Sequence, residues 1–160
     1  MQQLWLLRHG DAEPHGSRED ADRRLTPKGE LQARAAGVAI ARLGLEIDTA
    51  LTSPRVRALD TARIACDAAG IERFQVHDPL SDGFDAQDAA ALLAGRWNDA
   101  RVLVVGHEPD FSRLVHDLTG GDAVVKKGGL AGIRVSPEGG ELLALLRPSE
   151  LLAIAGGDLD

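Results

Sequence analysis

Val102, Leu103, Val104 and Val105 are four consecutive apolar residues, three of them β-branched, closed by Gly106. A run with no polar alternation fits a strand covered on both faces, which is the signature of a parallel sheet flanked by helices. The rest of the chain reads the same way. Gln3 to Leu7 and Thr49 to Thr52 are short strand-like runs, and Arg73 to Val76 is a third. Helical periodicity separates them. Thr26-Pro27 opens a helix whose apolar positions Leu31, Ala35, Val38 and Ala39 share one face, and Gly44 ends it. Ser53-Pro54 opens a second, with a stripe at Leu59, Ala62, Cys66 and Ala69, closed by Gly70. Asp85 caps a third that runs to about Ala94, and Phe111, Leu114, Val115 and Leu118 mark a fourth from Pro109. Leu130 to Val135 and Leu142 to Leu146 form a hairpin around the turn at 137–140, and Ser149 to Ala155 a last helix before a frayed tail. The expected fold is a three-layer α/β/α domain over 1–160, mostly parallel, with a C-terminal hairpin.

Composition narrows the function. The 160 residues carry a net charge of −7, which disfavours nucleic acid and anionic membrane surfaces as partners. One cysteine, Cys66, rules out an internal disulfide and any multi-cysteine metal site. No apolar run approaches the roughly 20 residues of a bilayer span, and no signal peptide is visible, so a cytoplasmic protein is expected.

Ligands of open parallel sheets bind beyond the carboxyl ends of the strands. Those ends carry Arg8, His9 and Gly10, then Ser53, Pro54, Arg55 and Arg57, then Gly106, His107 and Glu108. Two imidazoles and two guanidinium groups on one edge form an anion site, and guanidinium matches phosphate oxygens in two-point contacts. A neutral imidazole nitrogen is a competent nucleophile toward phosphorus, and flanking arginines both keep it neutral and stabilise the transferring group. Fixed cations make a metal ion unnecessary, although Asp11, Asp82 and Asp85 leave that point open, and no other cofactor is implied.

Four segments then resemble, in order, the histidine phosphatase superfamily, which includes the cofactor-dependent phosphoglycerate mutases. They are Leu6-Leu7-Arg8-His9-Gly10-Asp11-Ala12, Leu25-Thr26-Pro27-Lys28-Gly29, the stretch from Leu51 through Ser53-Pro54 and Arg57 to Ala62, and Val105-Gly106-His107-Glu108-Pro109. The resemblance implies His9 as the phosphorylated nucleophile, Arg8 and Arg57 as phosphate ligands, and His107 as the second, phosphate-bound histidine. Larger members carry a mid-chain glutamate that protonates the leaving oxygen. The comparable stretch here, from Pro79 to Asp85, has only Asp82 or Asp85 for that role. Short length and a weak acid position resemble the SixA-type phosphohistidine phosphatases. The expected substrate is a phosphorylated protein, with a small phosphorylated metabolite as the alternative and a non-catalytic phosphate-binding module as a third reading.

The remaining polar residues are assigned blander roles. Arg55 is expected as an exposed helix residue, His15 as a solvated loop histidine, and the charges of 18–24 as a solvated loop, with a lid as the alternative. Lys126-Lys127 reads equally as part of the phosphate field or as a solvated turn. Cys66 is expected to be inert packing and Trp5 core.

Overall fold

The computed structural model describes residues 1–156, so the expected frayed tail lies almost wholly outside the described residues. Six strands form one mixed sheet. β1 (Gln2–Arg8) runs parallel to β4 (Arg101–Gly106), with Leu6 opposite Val104. β2 (Thr49–Thr52) pairs parallel with β4 on one side and with β3 (Phe74–Val76) on the other. β5 (Leu130–Ser136) and β6 (Gly139–Leu146) form an antiparallel hairpin added to the far side of β1, giving the order β3-β2-β4-β1-β5-β6.

Alternation along the strands divides the core. Leu4, Leu6, Val102 and Val104 face one layer, where Leu92, Leu93, Phe111, Leu114 and Val115 pack against them. These come from α3 (Ala86–Leu93) and α4 (Asp110–Thr119). Trp5, Leu7, Leu103 and Val105 face the other, against Ala36, Ala39, Ile40, Ala62, Ala65, Cys66 and Leu151. These belong to α1 (Pro27–Arg42), α2 (Val56–Ala69) and α5 (Pro148–Ile154). The apolar Val102–Val105 run of β4 is therefore covered on both sides, as a central parallel strand requires. Among the described residues no helix is long and apolar enough to cross a membrane.

Two local expectations need correction. The buried face of α1 is Ala33, Ala36, Gly37 and Ile40, alongside the expected Ala35 and Ala39, whereas Leu31 is 45% exposed. The cause is close packing on α2: a Cβ at Gly37 would collide with the Ala65 carbonyl, so small residues set the contact. Second, α2 begins at Val56 rather than at Pro54. Ser53 and Pro54 form the turn before it, with the Ser53 hydroxyl accepting the Arg55 N–H at 3.2 Å. Thr26 does cap α1, accepting the Gly29 N–H at 3.1 Å, and Asp85 caps α3 in a reciprocal box with Asp88.

Candidate active site

The carboxyl ends of β1, β2 and β4 are tied together by backbone hydrogen bonds. The His9 N–H donates to Gly106 at 3.0 Å and the Ser53 N–H to Val105 at 3.0 Å. The Gly128 N–H reaches the His9 carbonyl at 2.9 Å, and the Arg8 N–H the Gly129 carbonyl at 3.0 Å, so the 126–129 turn is fastened to the same edge. Gly10 can carry no side chain, because a Cβ there would lie 2.5 Å from the Gly29 carbonyl oxygen. Its N–H is held by the Thr61 hydroxyl at 3.1 Å, and that hydroxyl donates to the Arg57 carbonyl at 2.7 Å. The first turn of α2 is thereby clamped against the β1 end.

The result is a cavity of about 310 Å³ whose lining includes Arg8, His9, Arg57 and His107. Three sequence positions far apart thus converge, and three of the four side chains are almost buried: His9 is 6% exposed, His107 5% and Arg57 4%. The two imidazole rings lie 5.3 Å apart, tilted by 52°. His9 Nδ1 sits 2.7 Å from the Gly10 carbonyl oxygen. A carbonyl only accepts, so Nδ1 carries the proton and Nε2 keeps its lone pair. His107 Nε2 contacts the Ser53 hydroxyl at 2.8 Å, while its Nδ1 is buried and has no partner among the described residues. Arg8 Nε and Arg57 Nε are also buried without partners among the described residues. Buried guanidinium N–H groups are suited to binding the oxygens of an anion.

Electrostatics keeps both histidines neutral. Burial is the main cause that pushes His9 down to about 3, with the charges of Arg57, Arg8 and Lys127 adding to it against the Gly10 hydrogen bond. Burial, then His9 and the arginines, takes His107 down to about 2. Burial likewise disfavours the charges of Arg8 and Arg57, opposed by Glu108 and Asp20. Among the described residues no group of three His, Cys, Asp or Glu side chains is arranged to hold a metal ion. The cavity's positive charge comes from Arg8, Arg23, Arg55, Arg57 and Lys127, against Glu13, Asp20 and Glu108.

Several residues differ from expectation. Asp82 and Asp85 do not line the cavity: Asp82 is exposed on the turn leading to α3, and Asp85 is engaged in capping α3. Arg55 is not a free surface residue; it lines the cavity and donates to Asp20 at 3.3 Å. His15 and Lys127 both reach the cavity wall, and Lys127 Nζ also lies 3.9 Å from Asp11 Oδ1. The 18–24 segment is not simply solvated. Arg23 is buried, and Asp20 receives hydrogen bonds from Arg23 and Arg57. Neither residue carries a signal in the sequence, because an acid and a base three positions apart in a polar loop are ordinary. Cys66 is packed as expected, and burial pushes its thiol up to about 11.

Comparison with known proteins agrees with this fold. Residues 4–83 match the histidine phosphatase superfamily (branch 1). A protein of Picosynechococcus sp., itself uncharacterised, is 34% identical over 140 residues, covering 82% of this chain and 84% of the relative. Among solved structures, the protein histidine phosphatase SixA complexed with tungstate superposes with a TM-score of 0.84 at 26% identity, over 93% of this chain and 99% of that one. A phosphoserine phosphatase of Entamoeba histolytica shares the fold at 19% identity, with a TM-score of 0.74 over 95% of this chain and 100% of that one.

Proposed function

The chain belongs to the histidine phosphatase superfamily, and on that premise we propose that this phosphoryl-group hydrolase removes phosphate from phosphohistidine on a protein, through a phosphorylated His9. His9 Nε2 attacks phosphorus in line with the departing group. The new N–P bond forms as the substrate's P–N bond breaks, and the substrate imidazole leaves with a proton taken from solvent water. Water then attacks the phosphorus on His9, releasing inorganic phosphate and the free imidazole. Arg8, Arg57 and His107 hold the equatorial oxygens, whose charge is spread in a loose transition state that needs positioning and cations above all.

One observation carries the reading: the 2.7 Å contact of His9 Nδ1 with the Gly10 carbonyl fixes the tautomer and leaves Nε2 unprotonated in the cavity that Arg8, Arg57 and His107 also line. The choice of substrate is supported by the acids. Glu13 accepts from the Arg24 N–H and from Arg18, Glu108 accepts the Ser112 N–H at 2.7 Å, and Asp20 is held by arginines. Each lining carboxylate thus accepts at least one hydrogen bond, and an imidazole leaving group depends less on a strong general acid than an alkoxide does. The likeness to SixA points the same way.

Incubating the protein with a phosphohistidine protein and quenching in alkali is expected to trap acid-labile phosphate on His9. His9→Ala abolishes both the trapped species and turnover. Turnover retained in that variant removes the mechanism. A panel including aryl and sugar phosphates tests the substrate, and faster cleavage of the esters would replace the protein substrate with a small metabolite.

A further inference from the structure

Asp20 gathers three arginines. Its Oδ2 accepts from Arg57 Nη2 at 3.2 Å and from Arg55 Nη1 at 3.3 Å, and its Oδ1 from Arg23 Nε at 3.0 Å. Its backbone carbonyl accepts a second hydrogen bond from Arg57, Nη1, at 2.7 Å. Both terminal nitrogens of Arg57 therefore donate to one residue. Guanidinium has five N–H donors, so Nε–H and one hydrogen on each terminal nitrogen remain, enough for a two-point contact with phosphate. Nε is the atom left buried and without a partner among the described residues.

We propose that Asp20 is a positioning residue for phosphoryl transfer, holding Arg57 by its two terminal nitrogens so that the Nε edge stays available to the phosphate. This rests on the reading of Arg57 as a phosphate ligand. The opposite reading treats the carboxylate as a plug standing where phosphate binds. The second contact decides against it, because a backbone carbonyl cannot swing aside unless the chain moves. That chain is pinned: Arg23 Nη1 donates to the Glu13 carbonyl at 2.7 Å, the Arg24 N–H to the Glu13 side chain at 2.7 Å, and the Thr26 hydroxyl to Asp11 Oδ2 at 2.7 Å. Burial pushes the Asp20 carboxyl up, but Arg57 and Arg23 outweigh it and hold it below its ordinary value. The side chain, 47% exposed, therefore remains an anion in the working pH range without being sealed away.

The test is a thermodynamic cycle with Asp20→Ala, Arg57→Ala and the double variant. It is read by vanadate inhibition, by calorimetric binding of inorganic phosphate and by kcat/KM, with thermal unfolding alongside. Asp20→Ala is expected to weaken vanadate binding and kcat/KM by roughly 10- to 100-fold, the range for losing a hydrogen bond to a charged group. In the Arg57→Ala background the same change is expected to add less than about threefold, because coupled residues are not additive. Asp20→Asn, which keeps an acceptor and the volume, retains intermediate binding and carries the test where the alanine variant does not fold. Tighter or unchanged vanadate binding on losing Asp20 overturns the proposal, as does a full loss reappearing without Arg57. Wild-type protein that binds neither vanadate nor phosphate would instead overturn the reading of Arg57 itself.

Discussion

Keeping two imidazoles neutral in a buried site makes the free protein sensitive to mild acid. In the unfolded chain a histidine takes up its proton near pH 6.5, whereas the folded protein holds His9 near 3 and His107 near 2. Between these limits the unfolded state binds more protons, so stability falls as pH falls. The contribution is fully present above pH 6.5 and is lost progressively below it. At pH 5 the gap to the unfolded value is about 1.5 pH units, which at 1.36 kcal/mol per unit is about 2 kcal/mol for each histidine. The pair therefore removes about 4 kcal/mol between pH 7.5 and pH 5, a large share of a typical total of 5–15 kcal/mol. The figure does not depend on how far below pH 4 the folded values lie, since at pH 5 both rings are neutral in the folded state. Urea unfolding at the two pH values, in a buffer free of phosphate and its analogues, measures it. His9→Gln and His107→Gln should each halve the difference, and the double variant should nearly abolish it. A stability that stays level from pH 7.5 to 5, or variants with the wild-type slope, would show that the rings are protonated in the folded protein and unfit as described for nucleophilic attack.

Other perturbations test separate parts of the structure. Arg57→Ala should lower kcat/KM for the preferred phosphorylated substrate by about 3–4 kcal/mol of transition-state stabilisation, in line with the loss of one oxyanion donor. Asp82→Asn should leave turnover within about twofold, because the side chain is exposed and outside the cavity lining; a severe loss would restore it as the acid. Gly10→Ala should cost about 1–3 kcal/mol in denaturant unfolding, since its Cβ meets the Gly29 carbonyl at 2.5 Å, and should disturb the clamp on Arg57. Leu103→Ala, at a fully buried position of the central strand, should cost about 2–5 kcal/mol with little change in the KM of the remaining folded enzyme.

The fold was largely legible because its signals are local. The unalternating Val102–Val105 run, the Thr26-Pro27 and Asp85 caps and the glycines after α1 and α2 are properties of a few neighbouring residues, and the elements formed where those properties put them. The placement of Arg8, His9, Arg57 and His107 was legible for a related reason: each follows a strand or opens a helix, and parallel strands bring such ends to one edge. What the sequence could not supply was any pairing between distant side chains. The small-residue face of α1 depends on the approach of α2, which shifted the buried stripe away from Leu31. The tautomer of His9 depends on the direction of one carbonyl, and the neutrality of both rings on burial created by the whole fold. The linking of Asp20 to Arg23, Arg55 and Arg57 spans up to 37 positions, and nothing in a polar loop announces it. Local backbone preference and hydrophobic period are written residue by residue, but charge compensation and desolvation exist only once the chain has closed around the site.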